Sequence, residues 1–323
     1  MKFKLLVFAI SFLCAANVFA QTHSTEIGLQ TDNDSYLLQG SDRYYTDGIY
    51  FYYRHAQKVS ESSSLANRVL GIEIGQKIYN PQSGSVNYKG GDQPYLVDRP
   101  FAGYLYAGAT INFLYKNESA IKLGAQIGII GPGAFGKEVQ DYVHDHFGFY
   151  HPGGWEYQIH NEAQLNLSAN YTKLIARDSW IDASFTGYAN LGNGFSGAGA
   201  GGMVRVGNFN QLFNSVITQS SAIQKQSSAP LHQHEIFFYY KPLLNYVLYD
   251  ATIQGGMFAS HDDPTSLEIR RTKEPVIFSN QFGVGFTTNR FAFDVAAIFH
   301  TKETKEMVRS EQWGSITAVY RFK

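Results

Sequence analysis

Ala163-Gln-Leu-Asn-Leu-Ser-Ala-Asn-Tyr-Thr172 decides the fold. In an extended chain Ala163, Leu165, Leu167, Ala169 and Tyr171 face one side, and Gln164, Asn166, Ser168, Asn170 and Thr172 the other. A period of two marks a strand with two chemically different faces. The pattern returns at Phe291, Phe293, Val295, Ala297 and Phe299, opposite a face holding Asp294 and His300. It returns again where Leu70, Ile72 and Ile74 alternate with Gly71, Glu73 and Gly75. A membrane barrel carries its apolar face outward, whereas a soluble sandwich alternates with polar residues outside. Alternation alone does not say which face meets lipid.

The rest of the chain makes that choice. Met1-Lys-Phe-Lys4 precedes an apolar run from Leu5 to Phe19 that ends Val18-Phe19-Ala20. A basic start, a short apolar core and a small-x-small end predict a signal peptide over residues 1–20, removed on export. The run is shorter than the roughly 20 apolar residues of a membrane helix. Cys14 lies inside this segment after Leu13, which is not the small residue a lipoprotein signal requires. The exported chain, residues 21–323, therefore has no disulfide, thiolate nucleophile or cysteine metal site. It carries 24 basic and 27 acidic side chains, so nothing in its charge suggests a nucleic-acid partner. Charged residues make up 16% and aromatics 15%, where a soluble domain carries about 25% charge. An aromatic-rich, glycine-rich exported chain of this kind fits the bacterial outer membrane, spanned by strands.

These observations predict an all-β fold of one domain, an antiparallel transmembrane β-barrel of roughly twelve strands. The strands fall near 23–33, 45–56, 68–79, 102–115, 119–130, 163–175, 179–190, 197–207, 234–249, 274–288, 290–302 and 312–323. An even count brings both termini to the periplasmic side. Ile316, Ala318, Tyr320 and Phe322 face outward on the last strand, an aromatic terminus suited to the barrel-insertion machinery. Long loops over 34–44, 80–101 and 131–162 follow odd strands and are extracellular, whereas Lys116-Asn-Glu118 is a short periplasmic turn. The segment from Asn208 to His234 breaks the rule, being long on the periplasmic side. Either it holds a small helix or the strand count is off by one.

Chemistry concentrates in the outer loops. Thr31-Asp-Asn-Asp-Ser35 and Ser41-Asp-Arg-Tyr-Tyr-Thr-Asp-Gly48 gather carboxylates, an amide and hydroxyls, the hard oxygen donors that suit Ca²⁺. Asp34 and Asn33 point to opposite faces if the strand continues, so both join one site only at a bend; Thr46 offers a hydroxyl from the next strand. The competing reading is a turn rich in Asx residues. In the third long loop Lys137–Phe147 is compatible with a short helix, on which Gln140 and His144 share a face. A histidine beside an amide can serve as general base, although a lone loop histidine is more often solvated. His144-Asp-His146 does not make a two-histidine metal site, because residues two apart diverge on a helix. Gly194-Phe-Ser-Gly-Ala198 lacks the last glycine of a nucleophile elbow and reads as a tight turn. Arg99 pairs with Asp98 at the barrel rim or meets a lipid phosphate. Lys89, in the same loop, is placed to reach a developing oxyanion.

In order, Asn33-Asp34, Tyr45-Thr46-x-Gly48, Ile78-Tyr-x-Pro81, Asp98-Arg99-Pro-x-Ala-Gly103, Ile130-Gly-Pro132, Glu138-Val-Gln140, His144 and Trp155-x-x-Gln158-Ile159 resemble the LpxR family. These are twelve-stranded outer-membrane lipid A 3′-O-deacylases, and the resemblance is strongest over residues 31–160. It implies a Ca²⁺-dependent ester hydrolase acting on lipid A of the lipopolysaccharide, among the lipids of the outer leaflet. Carried over, His144 is the base that activates water and Gln140 positions it. Asp34 binds Ca²⁺, with Asn33 and Thr46 in the same polar site and Lys89 standing for the family lysine. Ser35 takes the place of an acidic residue in some relatives, and Gly148-Phe-Tyr-His-Pro152 lacks another. Fewer carboxylates imply weaker Ca²⁺ binding. A phospholipase or esterase using the same residues, and a non-catalytic channel or structural barrel, are the alternatives.

Overall fold

Leu29, Phe51, Ile74, Ala107, Ile127 and Leu165 lie in register across six neighbouring strands and form one apolar row. All but Ala107 are large, and each of these large side chains is exposed. A row of this kind, on the outside of a closed sheet, is a lipid-facing surface. The computed structural model that reveals it describes residues 23–38, 42–82, 86–88, 91–150, 152–219, 221–224, 230–260 and 263–322. The expected signal segment and Lys89 lie outside the described residues.

Twelve strands close into one antiparallel barrel. They are β1 Thr25–Asn33, β2 Tyr44–Ala56, β3 Leu65–Asn80, β4 Ala102–Tyr115, β5 Ser119–Ile130 and β6 Glu162–Arg177. They continue as β7 Ile181–Gly192, β8 Phe195–Asn208, β9 Ile236–Asp250, β10 Val276–Thr287, β11 Phe291–His300 and β12 Glu311–Phe322. Each strand pairs with its sequence neighbours, and β1 pairs with β12 from Thr25↔Phe322 to Asn33↔Gly314 to seal the seam. Every strand expected from alternation is present. The inward faces carry Tyr50, Tyr52, Tyr104 and Tyr106 as one buried cluster. Buried ion pairs such as Arg54–Glu26 and Arg205–Asp182 add to the lining. Buried charges of this kind are tolerated because each is matched.

The segment after β8 does not reflect a miscounted strand, and its described part holds short 3₁₀ helices, not a longer α-helix. These, Leu212–Asn214 and Val216–Thr218, fold into the barrel end where β1 begins and β12 finishes. Phe209, Leu212, Phe213 and Val216 are buried there. The barrel wall caps its backbone: Asn112 donates to the Thr218 carbonyl at 2.9 Å and Asn67 to the Ala222 carbonyl at 2.8 Å. Glu235 accepts from the Asn210 amide, the Ser215 hydroxyl and the Val216 amide. Buried backbone outside regular structure needs partners of this sort.

The other end carries the long loops. One helix, α1 Gly136–Phe147, sits in the loop between β5 and β6, as the sequence predicts. It lies close against β4 because Gly103 and Gly136 have no side chains. A Cβ on Gly136 would meet the Trp155 ring at 2.9 Å, and one on Gly103 the Gly136 amide nitrogen at 3.2 Å. Two further loops, 251–275 and 301–310, rise at this end.

Candidate active site

The buried face of α1 consists of Gly136, Gln140 and His144, spaced four apart as a helix stripe requires. The helix ends at Gly148, whose φ of 72° lets its amide return to the His144 carbonyl. Beside this stripe Trp155 packs with Ile78, Val86, Val97 and Phe101 in an apolar cluster. Its indole N–H donates to Gln140 Oε1 at 2.9 Å, and Asn80 donates to the same oxygen at 3.1 Å. An indole only donates, so the orientation of the Gln140 amide is fixed. Its Nε2 then donates to Asp42 Oδ2 at 2.7 Å.

His144 meets the same carboxylate. Its Nε2 lies 2.9 Å from Asp42 Oδ2. Its Nδ1 faces the backbone carbonyl of Tyr150, so both ring nitrogens meet oxygen acceptors. Tyr150 also places its hydroxyl on the Asp42 amide at 3.1 Å, so one residue brackets both partners. The rings of Phe149 and Tyr150 stand edge-on to the imidazole, and only 4% of His144 is exposed.

On the barrel side β1 ends at Asn33, and Asp34 opens a 3₁₀ turn that supplies the bend expected for this pair. Asn33 caps the turn, accepting from the Ser35 amide at 2.8 Å and from the Ser35 hydroxyl. Asp34 turns inward, is 1% exposed, and accepts from the Arg43 amide at 2.8 Å. The start of β2 is distorted: Tyr44 has a φ of 62°, and the register with β3 slips between Tyr45 and Asp47. Thr46 is the extra residue of that bulge. Bulges re-aim side chains, and the Thr46 hydroxyl hydrogen-bonds to both Asp34 and Asp42.

Asp34, Thr46, Asp42, Gln140 and His144 therefore form one connected group. Burial pushes the Asp34 carboxyl up to about 8, a rise to which the neighbouring Asp42 adds and which the Arg43 amide and Thr46 oppose. Burial also raises Asp42, against the pull of His144 and Gln140. Two buried carboxylates that share a hydroxyl are costly when ionised unless a cation joins them. Their oxygens and that hydroxyl are the donor set of an oxygen-liganded divalent ion, so the residues present fit Ca²⁺.

Four of the residues singled out in the sequence, Asp34, Thr46, Gln140 and His144, are brought together. Asn33 adjoins them as the cap of the turn. Arg99 is not among them. It is fully buried, and Nε and Nη2 donate to Glu303 Oε2 at 3.1 and 3.0 Å. Its guanidinium stacks 3.9 Å above the Tyr79 ring. The expected partner Asp98 accepts instead from the Tyr44 hydroxyl at 2.7 Å. His146 is exposed and stacks on Tyr142, away from the group. Asp42 is the residue sequence reasoning passed over. It stood in the quoted Ser41–Gly48 stretch, but its role rests on contacts with residues 98 and 102 positions away.

Around this group the surface is apolar. Leu38, Phe135, Tyr142, Phe147 and Phe149 are exposed by 95%, 56%, 71%, 65% and 57%. Exposed large apolar side chains gathered on these loops suit a lipid or ligand surface.

A family model described as "Outer membrane protein LpxR" matches residues 5–322. Among solved structures, LpxR from Salmonella typhimurium aligns with a TM-score of 0.72 at 21% identity, covering 92% of this chain and 100% of that one. The β domain of the Bordetella autotransporter BrkA aligns over 94% of this chain and all of its own. It does so at only 8% identity and a TM-score of 0.46. No curated protein sequence matches the chain.

Proposed function

This chain belongs to the LpxR family of outer-membrane proteins, and from that membership we propose that it is a Ca²⁺-dependent lipid A 3′-O-deacylase. One observation supports the chemistry: a buried histidine joined through Asp42 to a carboxylate site at the outer end of the barrel. A lipid ester reaches such a site from the outer leaflet, with its acyl chains against Leu38, Phe135, Phe147 and Phe149. Ca²⁺, when bound by Asp34 with Asp42 and Thr46, supplies Lewis-acid polarisation of the ester carbonyl.

The protein's own residues do the proton work. With water entering at Nε2 in place of the direct contact to Asp42, His144 accepts a proton as the water oxygen attacks the carbonyl carbon. Asp42 stabilises the imidazolium that results. Gln140, held by Trp155 and Asn80, keeps Asp42 in place. Collapse of the tetrahedral intermediate breaks the bond to the sugar oxygen, which takes the proton back from His144. The products are a free acyloxyacyl acid and a 3′-hydroxyl. No protein nucleophile is needed.

The test is mass spectrometry of lipid A from cells expressing the wild type or His144→Ala, with and without chelator. Loss of a 3′ acyloxyacyl unit only in wild type with Ca²⁺ is the expected result. Unchanged lipid A in every sample, with the barrel folded, rejects the reading and leaves phospholipid hydrolysis to be assayed next.

A further inference from the structure

A second polar cluster, separate from the Asp34–His144 group, joins the outer ends of β11 and β12. His300 ends β11, Glu303 lies in the following loop, and Glu311 begins β12. One ligating atom from each lies within 4.8 Å of the others. His300 Nδ1 is 3.5 Å from Glu303 Oε1 and 3.8 Å from Glu311 Oε2. Among the described residues neither His300 Nδ1 nor Glu311 Oε2 has a hydrogen-bond partner, although Glu311 is only 2% exposed. The opposite oxygens are engaged. Glu311 Oε1 accepts the Tyr45 amide at 2.5 Å, and Glu303 Oε2 accepts from Arg99.

One nitrogen and two carboxylate oxygens therefore converge on a common point while their outer oxygens are pinned by fixed donors. That division is how metal ligands are oriented. Arg99 bonds one of the two carboxylates, and the other faces it across the gap. Zinc binds His nitrogen and carboxylate oxygen at roughly 2.1 Å, which sets tetrahedral ligand atoms about 3.4 Å apart. The distances of 3.5 and 3.8 Å from His300 lie near that edge. The Trp313 ring, edge-on to His300 at 4.7 Å, holds the imidazole in place.

We propose that His300, Glu303 and Glu311 bind a borderline divalent ion of the Zn²⁺ class, with water in the fourth position. A donor set with nitrogen and few oxygens distinguishes it from the oxygen-rich preference of Ca²⁺. The ion clips the 301–310 loop to β12. Through Glu311 it also steadies Tyr45, the residue before Thr46.

The test uses the full-length barrel in detergent, stripped with chelator, in an Asp34→Asn/His144→Ala background that disables the first site. Zn²⁺ titration by calorimetry and Co²⁺ titration by visible absorption report binding directly. The expected result is one equivalent of Zn²⁺ and a tetrahedral Co²⁺ spectrum. His300→Gln and Glu303→Gln should each weaken binding by about 100-fold or more, since disturbing outer partners alone costs about 10–100-fold. His300→Gln leaves the Glu311–Tyr45 contact intact, and heat-modifiable gel migration checks that each barrel is folded. No bound Zn²⁺ in this background, or equal affinity in both folded variants, overturns the site and leaves a proton shared by Glu303 and Glu311. The readout is the metal itself, so it stands or falls independently of lipid A hydrolysis.

Discussion

His144 Nε2 and Gln140 Nε2 meet the same atom, Asp42 Oδ2, at 2.9 and 2.7 Å. One oxygen thus ties the proposed base to the residue that positions it. Asp42→Asn keeps the shape but removes the charge that stabilises a protonated His144. The rate should fall about 100-fold, the scale of a general-base contribution, with KM nearly unchanged. The pH dependence of kcat should shift with it. An unchanged pH profile would make Asp42 merely structural.

Asp34 gives a prediction for pH. Its carboxyl is raised to about 8, chiefly by burial, so without a cation it is protonated at neutral pH. Ca²⁺ must then displace a proton. Apparent affinity should rise about 10-fold from pH 7 to pH 9 and level off above. Calorimetry in buffers of different ionisation enthalpy should detect close to one proton released at pH 7. Proton-independent binding would contradict the placement of the metal on Asp34.

Gly136 separates the site from the barrel. A side chain there strikes the Trp155 ring, so Gly136→Val must lift α1 away and carry Gln140 and His144 with it. Insertion and heat-modifiable migration should stay normal while activity falls at least about 100-fold, since small displacements of reacting groups cost that much.

Arg99 should matter for stability. Arg99→Met leaves Glu303 without its counter-charge and should cost about 3–5 kcal/mol, read from the unfolding midpoint in denaturant. Arg99→Met with Glu303→Gln should recover much of that loss. A double variant no better than the single one would show that the pair's charge is not what matters.

The barrel was legible because lipid imposes a strict period of two on every strand, visible from Ala163–Thr172 onward. The helix of Gln140 and His144 was legible from local spacing. The segment after β8 was not: it has no period of its own and takes its hydrogen bonds from Asn67, Asn112 and Glu235. The partner of Arg99 was equally hidden. Its neighbour Asp98 was the natural guess, yet the carboxylate it meets lies 204 positions away. Asp42 read as one more polar turn residue because its partners arrive only when α1 docks.

The seam between β1 and β12 bears on when the site takes shape. The turn carrying Asp34 packs on β12 at Gly314, against the Tyr36 side chain, and Glu311 at the head of β12 holds the Tyr45 amide beside Thr46. The strand that braces this part of the site is thus the one that completes the cylinder. Until that edge is zipped shut, the carboxylates have no rigid frame. Closure of the cylinder is what gives the site its frame.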